Sequence, residues 1–173
     1  MRKANELIGK SIVHQASGER LGSVRDLVFE PDASKVAAIL VDGGNLFREA
    51  RVINWGAVAS IGDVVMVTGD APVQRASDAP EVSDELRQDA QISGTAIVSE
   101  TGERIGTVGD LFIDDAGSVI GYEIKQGFVS DLGGRKFLSV AQVKTVGKDA
   151  IIADVSDLPT VKQAQRDENE RTA

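Results

Sequence analysis

The chain has no cysteine. That excludes disulfide staples, thiolate nucleophiles and cysteine-ligated metal centres. It has one histidine, His14, with no acid close to it in sequence. A histidine cluster for zinc therefore cannot be assembled, and His14 reads as a surface residue at a strand end. Aromatic residues make up only 4%, so any core must be built from Val, Ile, Leu and Ala. No apolar run approaches the length of a membrane span. The opening MRKANELIGK has no apolar stretch of the signal-peptide kind. No glycine-rich phosphate loop of the Walker type occurs. A basic stripe is also missing. Net charge is −8, and the excess acid is concentrated in residues 70–90, which hold six acids and two bases. Affinity for nucleic acid rests largely on neutralising phosphates with Lys and Arg, so the composition argues against direct RNA or DNA binding. These absences fit a cytoplasmic protein with no membrane segment.

What the chain does have is a repeat. GERLGSVRDL (18–27) returns as GERIGTVGDL (102–111), with seven of ten residues identical. At the offset of 84, Ile8 pairs with Ile92, Val13 with Ile97 and Asp26 with Asp110, without a gap to Ser34 and Ser118. Further on, KVAAILV (35–41) answers SVIGYEI (118–124), and VINWGAVASIG (52–62) answers FLSVAQVKTVG (137–147). The unit repeated is a module of about 65 residues rather than a short motif. Two copies are too few for a solenoid.

Each module reads as β. Short Val/Ile-rich runs are broken by Gly, Asp, Asn and Ser. In the second copy the pattern predicts strands at 95–99, near 105–113, at 119–125 and at 135–140. A short helical turn and a hairpin closing on GKD (147–149) follow. The expected fold class is all-β, two tandem small β-barrels with an intervening linker that contains a short helix. Barrel closure removes exposed strand edges. The expected domains are 1–70, an acidic linker 71–90 with a helix at SDELRQDA, a second barrel 91–156 and a charged flexible tail 157–173 that reads as a frayed helix or as disordered.

The repeated stretch carries a folding instruction. Gly18 and Gly102 sit where a hairpin needs positive φ. Then the apolar positions change parity twice: Leu21, Val24, Leu27 in one copy, and Ile105, Val108, Leu111 in the other. A period-two pattern that slips phase marks a bulge or a sharp bend. Gly22 and Gly106 suit such a corner. Asp26 and Asp110 can accept hydrogen bonds from N–H groups that the bulge leaves unpaired. A catalytic carboxylate pair is the weaker reading, because no second acid or histidine accompanies either one.

Other candidates fare worse. FIDDAGSVIGYE places Asp114 and Glu123 at calcium-loop positions if Gly117 is the loop glycine. Phe112 and Ala116 then stand where oxygen ligands are required, and a hairpin turn is the better reading. Ser130 and Asp131 cannot form a triad without a base. The apolar loop residues are more informative. Leu46 and Phe47 lie in DGGNLFREA (42–50), and Phe128, Val129 and Leu132 in GFVSDLGG (127–134). They either plug a barrel end, pack module on module or form a partner-binding patch. Trp55 reads as core, because Val140 replaces it in the other copy, with a partner anchor as the alternative.

Taken together, Gly18, Leu21, Gly22, Val24, Asp26 and Leu27, repeated as Gly102, Ile105, Gly106, Val108, Asp110 and Leu111, resemble the signature of the PRC-barrel domain family. The later hairpin AVASIGDVVMV is similar as well, and the two copies cover most of residues 6–156. The resemblance implies a small β-barrel adaptor rather than an enzyme. Family members include the cytoplasmic part of the photosynthetic reaction-centre H subunit, the barrel of the ribosome maturation factor RimM and stand-alone prokaryotic proteins. This chain departs from the first in lacking a membrane helix. It departs from the second in carrying another barrel where that factor has a different domain. No catalytic residues, metal ligands or cofactor are implied.

The expected function is therefore protein–protein interaction or assembly, with an unidentified basic protein partner drawn by the acidic surface and self-association as a further partner class. One alternative is an accessory role in ribosome maturation or RNA processing through a protein contact. A small-ligand or metal-binding protein is the third.

Overall fold

The computed structural model describes residues 1–42, 50–78, 92–127, 133–147 and 149–172. The helix expected at 83–90 lies outside these residues. The chain divides into two compact units. One comprises Ala4–Ala90 with Asp115–Ser118; the other comprises Met1–Lys3, Gln91–Asp114 and Val119–Ala173.

The first unit holds β2 (Ser11–His14), β3 (Arg20–Phe29), β4 (Val36–Val41), β5 (Arg51–Asn54), β6 (Val58–Ile61), β7 (Val65–Val67) and β8 (Val73–Arg75). They pair in the order β6-β7-β2-β3-β4-β5-β8. All pairs are antiparallel except β2 with β7. The second unit holds β1 (Arg2–Lys3), β9 (Ala96–Ser99), β10 (Arg104–Ile113), β11 (Val119–Lys125), β12 (Lys136–Ser139), β13 (Val143–Val146) and β14 (Ala150–Ala153). Its order is β12-β11-β10-β9-β14-β13, with β1 on β10. Six strands thus follow one another identically in both units, parallel pair included (β14 with β9). The sequence repeat is a repeat of topology: the protein is all-β, two tandem small barrels.

The long strand makes each sheet curl. β3 pairs with β2 through Arg20–Ser23 and with β4 through Val24–Phe29. β10 divides its partners in the same way, β9 through Arg104–Thr107 and β11 through Thr107–Ile113. The buried side chains are mostly Val, Ile and Leu. Ile12, Ile39, Ile53, Val65 and Val67 are fully buried in one unit, and Ile97, Ile113, Ile124, Leu138 and Ile151 in the other. Three of the aromatics serve the second core. Phe112 and Phe137 meet edge to face with centroids 5.4 Å apart, a favoured ring geometry, and Tyr122 is buried close to them in sequence and register.

The structure corrects one alignment. Gapless pairing sets Val13 with Ile97 and Ile8 with Ile92. In the folded units Ile12 pairs with Gly22, and Ile97 with Gly106. The N–H of Gly9 reaches the Val24 carbonyl, and that of Gly94 the Val108 carbonyl. The first strands therefore correspond at 85, while the long strands correspond at 84. The hairpin absorbs the difference. The Gly18 N–H returns to the His14 carbonyl, whereas the Gly102 N–H returns to the Ser99 carbonyl, one residue tighter. Both glycines have positive φ, 69° and 87°.

The modules also extend past the sequence repeat. β8 flanks β5, with Arg51 opposite Arg75. In the second unit Lys136 bridges Thr160, the Phe137 N–H donates to Pro159 O, and the Val161 N–H donates to Arg135 O. Residues 159–161 take the place beside β12 that β8 takes beside β5. A helix, α1 (Val161–Thr172), follows. It occupies most of the segment read from sequence as a charged flexible tail.

Candidate functional site

The signature residues shape the bulged strand. Register shifts in both units place extra residues at Leu21 and Ile105, and again at Arg25 and Gly109. These are the points where the apolar parity slips. Val24, Leu27, Val108 and Leu111 are buried. Immediately after the second bulge, Asp26 Oδ1 accepts the Leu27 N–H at 2.8 Å, and Asp110 Oδ1 accepts the Leu111 N–H at 2.9 Å. Gly22 has a φ of 146°, and a Cβ there would lie 2.7 Å from Val41 Cγ1. A Cβ at Gly106 would overlap the Lys125 carbonyl. His14 bonds through both ring nitrogens, to Ser17 Oγ and to Gly69 O, each at 2.9 Å, so it ties its own turn to the segment that follows β7. Leu46, Phe47, Phe128, Val129 and Leu132 lie outside the described residues, as do Ser130 and Asp131.

Sequence reasoning missed a charged cluster in the second unit. Glu123 is 1% exposed on β11. Its Oε2 faces the Lys3 ammonium of β1 and its Oε1 the Arg135 guanidinium, both in hydrogen-bonded ion pairs. Gly109 leaves room for it: a Cβ at that bulge would lie 3.3 Å from Glu123 Oε1. Burial pushes the carboxyl pKa up, but the Lys3 and Arg135 hydrogen bonds and their positive charge outweigh it, and Glu123 lies below the ordinary value of 4.5. The signal was a lone acid in the strand VIGYEIK. The aligned strand has Leu40 there, facing Asp26 as Glu123 faces Asp110. Its partners could not be foreseen, because Lys3 is 120 residues away in sequence. FIDDAGSVIGYE is accordingly a β-hairpin, and Glu123 is held by cations of the protein itself.

The first unit offers a cleft. Trp55 opens a 3₁₀ turn, Trp55–Ala57, capped by Asn54, whose side chain accepts the Gly56 N–H at 2.8 Å. In the other module Ser139 caps the equivalent turn, Val140–Gln142. The two positions differ sharply in exposure: Trp55 is 6% exposed and Val140 39%. Trp55 lies against Gly117 of its own unit, where a Cβ would overlap the indole. Around it is a cleft of about 410 Å³, with Glu30, Lys35, Asn54, Val58 and Asp115 in its walls.

Two copies of one strand order, each bent at a bulged long strand, define a duplicated small-barrel module. The profile of the PRC-barrel domain matches residues 1–74 and again 84–158. The chain therefore belongs to the PRC-barrel family, twice over, and domains of this family are generally non-catalytic interaction modules. Among curated proteins, none matches the chain. No helix of the described residues is long and apolar enough to cross a membrane.

Proposed function

We propose that the chain is a non-enzymatic adaptor that uses its two PRC-barrel modules to hold partner proteins. The observation that carries this reading is the duplication itself, two matches to an interaction-module family in one chain. The chemistry of the polar residues supports it. Asp26 and Asp110 cap backbone, His14 fastens a turn and Glu123 is neutralised by two cations. These groups are engaged in folding. Net charge of −8 favours a basic partner through steering. The segments 42–50 and 126–134 differ most between the copies, which makes Leu46, Phe47, Phe128, Val129 and Leu132 the proposed contact residues.

The test is capture of partners by the tagged full-length chain from native lysate, with and without nuclease. It is repeated with the pairs Leu46→Ser/Phe47→Ser and Phe128→Ser/Leu132→Ser. A discrete protein that survives nuclease and is lost with either pair supports the adaptor reading. Ribosomal proteins that vanish with nuclease would replace it with the ribosome-maturation role. Capture unaffected by both pairs would remove these loops from the proposal.

A further inference from the structure

The second module is completed by residues that are not its own. The family match that covers it runs from 84 to 158, yet its long strand β10 takes β1 (Arg2–Lys3) as a neighbour. Arg2 pairs with Ile113 and Lys3 with Phe112, antiparallel. The Lys3 ammonium donates to Glu123 Oε2 and stands over the Phe112 ring, 5.8 Å from its centroid, within the range of a cation–π contact. Arg135 holds the other carboxylate oxygen. A strand edge, one carboxylate oxygen and one aromatic ring thus converge on a single lysine.

The hold on that lysine is slight. β1 is two residues long, whereas β11 runs along β10 from Thr107 to Ile113. Arg2 and Lys3 are both partly exposed, so little apolar burial backs the ladder. In the turn that follows, Ala4–Leu7, both end residues are buried in the first unit. β1 can therefore part from β10 at Lys3 while Ala4 and Leu7 keep their packing, a local opening of the kind that short, polar elements undergo. Opening uncovers the main-chain edge at Phe112 and Ile113 together with Glu123 Oε2. A buried carboxylate that has lost one of its two cations is unfavourable, so the open groove favours any segment that returns a cation to the same place.

We propose that the β10 edge at Phe112–Ile113 is an acceptor site for an extended, lysine-bearing segment of a partner protein, which adds as a strand and sets its ammonium on Glu123 and Phe112 in place of Lys3. The proposal rests on the adaptor reading and names the chemistry of one contact. β1 is an internal stand-in that shows what the groove accepts: main-chain pairing supplies affinity and the lysine contact supplies specificity, as in strand addition generally. The first module has Leu40 where the second has Glu123, so the site belongs to one module only. Net charge of −8 favours the approach of a basic segment.

The full chain and its Lys3→Ala variant, whose groove has no lysine of its own, are titrated with a fluorescein-labelled Gly-Ala-Arg-Lys-Ala-amide peptide. Anisotropy reports binding, and the backbone amide shifts of Phe112 and Ile113 locate it. The variant should bind the peptide saturably. The parent should bind it about fivefold more weakly, because tethered β1 competes at an effective concentration in the millimolar range. Replacing the peptide's lysine by alanine should weaken binding to the variant about threefold to tenfold. Adding Glu123→Gln to the variant should act in the same direction, with circular dichroism and thermal melting to check the fold. No saturable binding into the millimolar range would overturn the proposal. So would equal binding of the lysine and alanine peptides, or amide shifts that leave Phe112 and Ile113 unmoved. A concentration-dependent dimer of the parent that Lys3→Ala abolishes would make a second copy the occupant and overturn the partner assignment. Capture through the 42–50 and 126–134 segments is measured separately, so failure at this groove and failure of the adaptor reading give different results.

Discussion

At the scale of single residues, two glycines and one glutamate decide the most. Gly22→Val would force a β-branched side chain onto Val41 Cγ1 and Asp42 O at a φ of 146°. Gly106→Val would push into the Lys125 carbonyl. Overpacking of this kind costs about 1–3 kcal/mol, and for units of this size each should lower the melting temperature of its own unit by roughly 5–15 °C. A melt identical to the parent's in both variants would remove the steric reading of the corner. Glu123→Gln leaves Lys3 and Arg135 without their shared carboxylate. Both cations reach water, with side chains 28% and 43% exposed. The loss should therefore be about 1–3 kcal/mol, below the 3–5 of fully buried pairs. The same residue sets an acid dependence. Its folded pKa is depressed below 4.5, so its contribution is complete above the unfolded value and is lost as pH falls through the folded one. Denaturant titrations from neutral pH to below pH 4.5 should show the second unit weakening with acid, and Glu123→Gln should flatten that dependence.

At the scale of elements, the bulged strand and the capped turns do the shaping. β3 and β10 are long because each serves two neighbours, and the bulges let one strand change direction between them. A strand ten residues long without such slips would present one face throughout. At the C-terminus, α1 begins with a reciprocal cap. Thr160 Oγ1 accepts the Gln163 N–H at 3.3 Å, and Gln163 Oε1 accepts the Thr160 N–H at 2.9 Å. Polar residues dominate α1, so little apolar burial supports it and its cap matters more. Thr160→Ala should cost about 1 kcal/mol, seen as faster amide exchange across Val161–Thr172 with little change in β9–β14. Slow exchange retained along the helix would mean that packing against β12, not the cap, holds it.

At the scale of the whole molecule, duplication is the main fact. Each unit has its own set of fully buried aliphatic residues and its own strand ladder. Local stability should therefore divide along the same line. Native-state hydrogen exchange of Gly22→Val should accelerate in β2–β7 and leave β9–β14 near parent rates. Gly106→Val should do the reverse. Equal acceleration in both units from either variant would show one cooperative block. The two modules also diverge after duplication. One carries an ion-paired glutamate where the other carries Leu40, and one carries a buried tryptophan where the other carries Val140. Shared residues keep the barrel; these unshared ones give each unit its own buried contacts.

The sequence by itself determined the duplication, the all-β class, the family and the bulged corner, because these rest on local signals. Strand periodicity, turn glycines and an aspartate in an apolar run act on neighbours a few residues away. Even the parity slips at Leu21 and Ile105 can be read along the chain. Tertiary structure alone decided the rest. The one-residue shift between the first strands depends on how each hairpin closes, which gapless alignment cannot register. The extension of the second module through residues 159–161 depends on pairing with β12 across a gap in sequence. The Glu123 cluster joins residues 3, 123 and 135, and the Trp55 cleft joins residues 30, 55 and 115. Long-range contacts such as these follow from the folded path of the chain. A lone buried acid or a lone tryptophan in sequence carries no sign of what will lie beside it.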